Sequence, residues 1–204
     1  MICAIVLAAG RSRRMGTQKL LLPFGASTVI GHIVDQVLAS EVDETYVVMG
    51  SDEAAIAEAL AGRPVHLVRN PEPQAEMLTS VRCGLRALPP DCRAVLVVLG
   101  DQPGVSFELA DAVIGAHLAS GKGLVVPVHD GKRGHPLLFG VGYRHQVLNE
   151  YDRVGLRGLL RDHPEDVFEV PAPSPAAVLD MDHPEDYRRE LARLSAKPEG
   201  PSPD

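Results

Sequence analysis

Short apolar segments alternate with amphipathic segments along the first 128 residues, and this alternation constrains the fold more than any other feature. The apolar segments are rich in Val, Ile and Leu and are bounded by Gly, Pro or Asp, as buried strands are. They cover residues 2–8, 45–49, 65–68, 94–99 and 124–128. Helical periodicity marks residues 28–39, with Ser27 or Thr28 as N-cap, and residues 52–60, 77–88 and 106–118. The pattern predicts an α/β sandwich, in which helices cover both faces of a mainly parallel sheet.

The pattern changes after residue 126. Residues 125–128 and 136–139 predict two short strands joined by a Gly-rich loop at 129–134, as an antiparallel excursion at the sheet edge. A short helix at 154–162, a strand at 167–170 and a loop at 171–175 follow. The last helix is predicted to begin at Asp182 or His183, with Pro184, Glu185 and Asp186 in its first turn. We expect one domain, residues 1–195, and a disordered tail at 196–204.

Composition narrows the class of protein. The chain has 204 residues, of which 45% are hydrophobic and 23% charged, as in a globular domain of the larger kind. No apolar run approaches the roughly 20 residues of a membrane helix, and no basic segment precedes the apolar N-terminus. A net charge of −7 argues against general nucleic-acid binding. Cys3, Cys83 and Cys92 lack metal-site spacing, which favours a reducing environment without structural zinc. We therefore expect a cytoplasmic protein with neither nucleic acid nor membrane as partner.

A Gly- and Arg-rich segment follows the first predicted strand. The first 34 residues contain no acidic residue, but they contain four basic ones, Arg11, Arg13, Arg14 and Lys19. In an open α/β sheet, ligands bind beyond the carboxyl ends of strands, where this segment lies. Ala8, Ala9 and Gly10 let a flat base approach the backbone, while backbone N–H groups, Arg14 and Lys19 can hold phosphate oxygens. The spacing matches neither a Walker A loop nor a G-x-G-x-x-G fingerprint, and a solvated tight turn is the alternative.

Asp101 follows the apolar run at 95–99 and lies in the segment Gly100-Asp101-Gln102-Pro103. It is expected at the same sheet edge as the first motif, where Mg²⁺ would find one or two carboxylates plus phosphate oxygens. The alternative is that Asp101 caps the helix near Ser106, although Ser106 can supply that cap itself.

Two further aspartates lie close to the C-terminus. Asp180 and Asp182 face the same way if their segment is extended, and one of them can complete a metal site with Asp101. Equally, Asp182 can serve only as the N-cap of the last helix.

A Gly-rich turn, Asp130-Gly131-Lys132-Arg133-Gly134-His135-Pro136, offers a second binding region. Its glycines permit close backbone approach, and Arg133 or His135 can meet an anionic or heteroaromatic substrate. His129 and His135 have no clear third ligand, so a transition-metal site is not expected.

Together these segments resemble the nucleotidyltransferase family that includes the molybdenum cofactor cytidylyltransferases and their guanylyltransferase relatives. The matching segments occur in the family's order and are Leu7-Ala8-Ala9-Gly10-x-Ser12-x-Arg14-Met15-Gly16-x-x-Lys19-Leu20-Leu21-Leu22-Pro23, Gly100-Asp101-Gln102-Pro103, Arg133-Gly134-His135-Pro136-Leu137-Leu138-Phe139 and Asp180-Met181-Asp182-His183-Pro184-Glu185-Asp186. The resemblance implies a Rossmann-like, three-layer α/β/α fold of the glycosyltransferase A type. It also implies Mg²⁺-dependent transfer of a nucleoside monophosphate from an NTP, with release of pyrophosphate.

The resemblance further implies substrates and residue roles. Leu-Ala-Ala-Gly resembles the CTP-using members, whereas guanylyltransferases usually show Leu-Ala-Gly-Gly, so CTP is the expected donor and molybdopterin the acceptor. A molybdenum hydroxylase apoenzyme is an expected partner. Lys19, Arg14 and Asp101 are the expected catalytic residues, and Asp101 and Asp182 the metal ligands. The expected nucleotide-binding residues are Leu7, Ala8, Ala9, Gly10, Arg11, Ser12, Lys19, Ser80, Gly100 and Asp101. The expected acceptor-binding residues are Arg133, Gly134, His135 and Pro136.

The chain departs from the family pattern in two places. Glu76 stands where the family often has Gly, and residues 152–157 match a Gly-Asp-x-Gly-x-Arg pattern only loosely. Three other functions remain open: a guanylyltransferase, a sugar-phosphate nucleotidyltransferase, and a cofactor-delivery chaperone without catalysis.

Overall fold

The computed structural model describes residues 1–10, 18–72 and 76–196. The strands are β1 Ile2–Ala8, β2 Pro23–Phe24, β3 Ser27–Thr28, β4 Glu44–Met49, β5 His66–Arg69, β6 Ala94–Leu99, β7 Leu124–His129, β8 Lys132–Arg133, β9 Leu137–Gly140 and β10 Val167–Pro171. The helices are α1 Val29–Leu38, α2 Glu53–Ala59, α3 Met77–Ala87, α4 Phe107–Ser120, α5 Arg144–Asn149, α6 Leu156–Asp162 and α7 Pro184–Ala196. Short 3-10 helices include Lys19–Leu21 and Pro175–Val178. Within these ranges, no helix is both long enough and apolar enough to cross a membrane.

The main sheet has the strand order β10-β7-β9-β6-β1-β4-β5, with β8 paired to β7. β1 runs parallel to both β4 and β6, β4 runs parallel to β5, and β10 runs parallel to β7. Only β8 and β9 are antiparallel to their neighbours among the strands described in this sheet. The predicted α/β fold with a mainly parallel sheet is therefore confirmed.

The predicted position of the antiparallel segment was wrong. β9 does not lie at the edge, because it pairs with β6 on one side and with β7 on the other. Leu137, Leu138 and Phe139 are at most 3% exposed, which is typical of a strand covered on both faces. Of the two antiparallel strands, β8 is the one that pairs with a single neighbour, and Asp130 and Gly131, both with positive φ, form the two-residue turn that joins it to β7.

β1 divides the core into two layers because successive side chains of a strand point to opposite faces. Ala4, Val6 and Ala8 pack in a cluster with α1 and α4. Cys3, Ile5 and Leu7 pack in a second cluster with α3 and α6. The helices thus cover both faces of the sheet and leave the strand ends open for side chains with chemical roles.

Two predictions about helix caps had different outcomes. Thr28 caps α1, since its Oγ1 accepts a hydrogen bond of 3.1 Å from Gly31 N. Ser106 stands at the N-cap position of α4 but makes no side-chain cap bond, so that prediction was wrong. Phe107 N donates instead to Gln36 Oε1, at 3.1 Å, because α1 brings that amide against the start of α4. The disordered tail was predicted to begin at residue 196, but Ala196 is the last residue of α7, and the rest of the predicted tail lies outside the described residues.

Candidate active site

The first and second sequence motifs meet at the carboxyl edge of the sheet. β1 and β6 are adjacent and parallel, and Leu7 is level with Leu99. Gly100 N donates to Leu7 O at 3.0 Å, which continues the pairing beyond the end of β6. A Cβ at position 100 would lie 2.5 Å from Leu7 O, so any larger residue would push the two chains apart. Gly100 therefore allows Asp101 to leave the sheet directly beside the residues that follow β1.

Lys19 joins three distant parts of the chain. It lies on the 3-10 helix Lys19–Leu21 and is 6% exposed. Its Nζ donates to Asp101 Oδ2 at 2.8 Å and to Asp182 Oδ1 at 2.9 Å. Burial disfavours the ammonium ion, but the charges and hydrogen bonds of both carboxylates outweigh it and raise the pKa of Lys19 above its ordinary value. Lys19 is therefore positively charged at neutral pH and holds Asp101 and Asp182 together.

Asp180 adds a third carboxylate to this site. Gln102 Nε2 donates to Asp180 Oδ1 at 2.8 Å, and Met181 N donates to Asp101 O at 2.9 Å. Burial, followed by the nearby charges of Asp101 and Asp182, raises the pKa of Asp180 despite the Gln102 hydrogen bond. Gln102 was not singled out from the sequence, although it stands inside the matched Gly100-Asp101-Gln102-Pro103 motif.

Helix capping was the alternative role for both Asp101 and Asp182, and their contacts can be compared with it. At the start of α7, the carboxylate of Asp186 accepts from Asp182 N at 3.1 Å and from His183 N at 2.8 Å. The carboxylate of Asp182 accepts from Lys19, as does that of Asp101. Asp186 thus reaches back to the N–H groups that precede α7, as the acidic residue of a capping box does, and both other carboxylates are directed toward the ammonium group.

The acidic site has the donor set of a divalent cation site. Its three carboxylates exceed the single positive charge of Lys19, and oxygen ligands of this kind suit Mg²⁺. Within the described ranges, no group of three His, Cys, Asp or Glu side chains is arranged to hold a metal by itself. A cation here would need further oxygen ligands, such as those of a bound phosphate.

The Gly-rich loop after β1 is described only at its two ends. Leu7, Ala8 and Ala9 are at most 9% exposed, whereas Gly10 is exposed. Gln18, at the other end, donates a hydrogen bond to Asp52. The expected phosphate-contacting and nucleotide-binding residues Arg11, Ser12 and Arg14 lie outside the described residues.

The turn before β9 stands at the same edge of the sheet, because Leu137 pairs with Val97 near the end of β6. A Cβ at Gly134 would lie 1.9 Å from Ala177 O, and His135 N donates to that oxygen at 2.8 Å. The 3-10 helix that contains Ala177 leads directly to Asp180 and Asp182. The turn is therefore packed against the segment that carries the acidic site.

His135 and Arg133 differ in their surroundings within this turn. Burial, followed by the charge of Arg157, lowers the pKa of His135 to about 4, so the ring is neutral at pH 7. Its Nε2 is buried and has no hydrogen-bond partner among the described residues. Arg133 Nε instead donates to Glu169 Oε1 on β10 at 2.8 Å, in an exposed ion pair. The bond between His135 and Pro136 is cis.

Ser80, expected to contact nucleotide, has a buried hydroxyl that is already engaged. Its Oγ accepts from Asn70 Nδ2 at 2.9 Å, and Asn70 N donates to Met49 O at 2.9 Å. Asn70 was missed from the sequence, although it lies two residues after the strand predicted at 65–68 and directly follows β5. Glu76, where the family often has Gly, accepts from Arg153 N at 2.8 Å and so ties the start of α3 to the loop before α6.

A family model for the MobA-like NTP transferase domain matches residues 4–167. The chain belongs to this family. The resemblance found in the sequence motifs is therefore confirmed.

Curated relatives of this family member differ in length and in function. The chain is 25% identical over 189 residues to the molybdenum cofactor cytidylyltransferase of Escherichia coli, covering 91% of the chain and 93% of that protein. It is 36% identical over 126 residues to the bifunctional protein GlmU of Kineococcus radiotolerans, covering 60% of the chain. That match spans only 26% of the GlmU protein, so the chain corresponds to about a quarter of it. It is also 28% identical to nicotine blue oxidoreductase of Paenarthrobacter nicotinovorans, covering 80% of the chain and 83% of that protein.

Solved structures have the same fold. A nucleotidyl transferase from Methanothermobacter superposes with a TM-score of 0.81 at 31% identity, covering 96% of this chain and 98% of that one. Rv0371c from Mycobacterium tuberculosis gives a TM-score of 0.83 at 28% identity, covering 94% and 97%. A manganese complex of Rv0371c gives 0.74 at 26% identity, covering 94% and 98%.

Proposed function

We propose that the protein transfers CMP from CTP to the terminal phosphate of molybdopterin, with or without molybdenum, and releases pyrophosphate. The observation that carries this proposal is the pair of hydrogen bonds from Lys19 to Asp101 and Asp182, beside the loop that follows β1. The likeness to the E. coli cytidylyltransferase over almost the whole of both chains supports the same function.

Asp101 and Asp182 are the proposed ligands of a Mg²⁺ ion. The manganese complex of Rv0371c supports a divalent cation in a protein of this fold. The excess of negative charge around Lys19 favours binding of such a cation together with nucleotide phosphates. When bound, Mg²⁺ would neutralise charge on the triphosphate and on the leaving pyrophosphate.

Lys19 and Arg14 are the proposed cationic groups for the phosphates. The raised pKa of Lys19 keeps its charge at neutral pH, which lets it balance charge that develops around the α-phosphorus. A phosphate monoester is already anionic near neutral pH and needs no general base to attack in line. The proposed role of these residues is thus to position and to neutralise rather than to move protons.

The nucleoside is proposed to bind over the loop after β1. Ala8, Ala9 and Gly10 have little bulk, and the sequence Leu7-Ala8-Ala9-Gly10 resembles the CTP-using members of the family. Arg11 and Ser12 are proposed to contribute to the same region, together with Gly100 and Asp101. Ser80, in the first turn of α3, is proposed to contact the nucleotide as well, with its hydroxyl oriented by the hydrogen bond from Asn70.

The acceptor is proposed to bind beside the turn that contains Arg133, Gly134, His135 and Pro136. The close contact between Gly134 and Ala177 supports this location, because it keeps the turn next to the segment of Asp180 and Asp182. The ring of His135, neutral because its pKa is about 4, is proposed to form part of the surface beside a heteroaromatic acceptor.

A sugar-phosphate nucleotidyltransferase is the second candidate, because the GlmU matches have higher identity over part of the chain. A nucleotide panel separates the candidates. The protein is incubated with Mg²⁺, one of CTP, GTP, ATP or UTP, and either molybdopterin or a panel of sugar phosphates, and products are identified by mass. We expect product from CTP and molybdopterin, and a sugar nucleotide would instead support the second candidate.

Asp101→Ala tests the proposed site in the same assay, with Asp91→Ala as the matched control because Asp91 is exposed before β6. Loss of one such electrostatic contact is expected to reduce turnover about a hundredfold or more. Near-normal turnover of Asp101→Ala would remove Asp101 from the mechanism. Tight CTP binding by the unchanged protein without any product would indicate a delivery chaperone.

The cellular setting is also part of the proposal. We propose a cytoplasmic reaction that supplies a molybdenum hydroxylase apoenzyme. The three cysteines are free thiols, which is compatible with a reducing compartment.

A further inference from the structure

A cavity of about 290 Å³ lies outside the site of Lys19, between α7 and the loop that follows Asp101. Its walls come from α1, the loop at 103–106, the 3-10 helix Pro175–Val178 and α7. Phe24, Val105 and Leu194 provide apolar surface, and Ser106, Glu190 and Arg193 provide polar groups. Small-molecule sites begin at about this volume, so the cavity suits a ligand with a single ring.

Glu190 gives the cavity a specific polar group. The residue is 5% exposed, and its Oε1 accepts from Arg193 Nη1 at 2.8 Å and from Arg189 Nε at 3.3 Å. Its Oε2 accepts no hydrogen bond from the described residues. A carboxylate oxygen in mostly apolar surroundings is stabilised when it gains a donor, so a ligand N–H group would bind there favourably.

Gly104 lies close to this oxygen, and no side chain fits between them. A Cβ at position 104 would lie 2.9 Å from Glu190 Oε2 and 2.9 Å from Ala176 Cβ. Ser106 also lines the cavity, and its side chain does not cap α4. Glu190 lines the cavity although only 5% of the residue is exposed, so a ligand in the cavity can approach its carboxylate.

The charges around the cavity are balanced. Arg193 neutralises Glu190, and Arg189 forms a second ion pair with Asp186 at 2.8 Å. A charged ligand would upset this balance, whereas a neutral ligand would not. We propose that the cavity binds a small, neutral, planar heterocycle whose N–H group donates to Glu190 Oε2 while its ring packs among Phe24, Val105 and Leu194.

Two neutral probes that differ by one amino group test this proposal. The ¹⁵N-labelled full chain is titrated with 2-aminopyrimidine and with pyrimidine, and amide shifts are followed by NMR. We expect shifts at Gly104 and Ala176, and about tenfold tighter binding of 2-aminopyrimidine, because a hydrogen bond to a charged oxygen gives about that factor.

Two variants and one control separate the contribution of Glu190 from that of the cavity. Glu190→Leu is expected to abolish the preference for 2-aminopyrimidine, whereas Glu58→Leu, an exposed change on α2, is expected to retain it. Ser106→Leu is expected to weaken both probes by filling the cavity. If Glu190→Leu fails to fold, Ser106→Leu decides the outcome.

Three results would overturn the proposal. They are shifts confined to Gly10 and Gly50 at the sheet edge, an unchanged preference in Glu190→Leu, or full affinity of both probes in Ser106→Leu. Because no step depends on nucleotide or metal, failure of the proposed cytidylyltransferase activity would leave this inference standing.

Discussion

Replacing Lys19 by Met should strengthen binding of a divalent cation in the absence of nucleotide. Lys19 Nζ forms hydrogen bonds with the same Asp101 and Asp182 oxygens that a cation would need. Each charge-assisted hydrogen bond contributes about 1.5–3 kcal/mol. The two carboxylates are 27% and 40% exposed, so solvent screening reduces the pair together to about 1.5–3 kcal/mol. We therefore expect Mn²⁺ affinity to rise by about 10- to 100-fold.

The same substitution should act on turnover in the opposite direction. Met has a similar length but leaves Asp101 and Asp182 without their shared cation, so the free energy of unfolding should fall by about 1.5–3 kcal/mol. Turnover should fall by about a hundredfold or more, because the triphosphate loses one fixed cation.

Free Mn²⁺ is measured by electron paramagnetic resonance during titration of the protein without nucleotide. Lys132→Met is the matched control, since Lys132 is exposed on β8, and it should leave Mn²⁺ affinity unchanged. If a folded Lys19→Met protein binds Mn²⁺ no more tightly than the unchanged protein, then Asp101 and Asp182 do not form the cation site.

Two further predictions concern stability. Gly100→Ala should lower the free energy of unfolding by about 1–3 kcal/mol in urea titrations, because the new Cβ would lie 2.5 Å from a backbone oxygen of β1. Gly115→Ala, in open space on α4, should raise it by about 0.5–1 kcal/mol, and equal effects of the two changes would contradict the close approach. His135 has a pKa of about 4 in the folded state, below its ordinary value, so its stabilising contribution is complete above about pH 6.5 and is lost as pH falls toward 4. His135→Phe should reduce the loss of stability between these pH values by about 3 kcal/mol, whereas exposed His145→Asn should not. Parallel pH curves for the two variants would refute the assignment.

The parallel part of the sheet was predictable from the sequence, because local pattern determines strands that are covered on both faces. Residues 2–8 and 94–99 were predicted with the bounds that the structure shows. Asp101 could be assigned to the carboxyl edge because it directly follows such a strand. The position of β9 could not be predicted, since Leu137–Gly140 has the composition of any buried strand and composition does not determine its neighbours.

Contacts between distant segments were harder to predict than residue types. The sequence suggested Lys19, Asp101 and Asp182 as site residues, but not that one ammonium group joins both carboxylates across separations of 82 and 163 residues. Ser106 has the right residue type for a cap, yet the Gln36 side chain on α1 takes that role. The hydrogen bond between Asn70 and Ser80 was missed for the same reason, since each residue alone is common in loops and helix starts.

The long separation between Lys19 and Asp182 has a consequence for biosynthesis. A nascent chain that has emerged as far as Asp101 already contains β1, β4, β5 and β6, which pair with one another in a contiguous four-stranded block. Asp182 and the helix after it leave the ribosome later than this block, and non-local contacts form late because chain closure must precede them. The acidic site therefore becomes complete only after the four-stranded block has been synthesised and Asp182 has emerged.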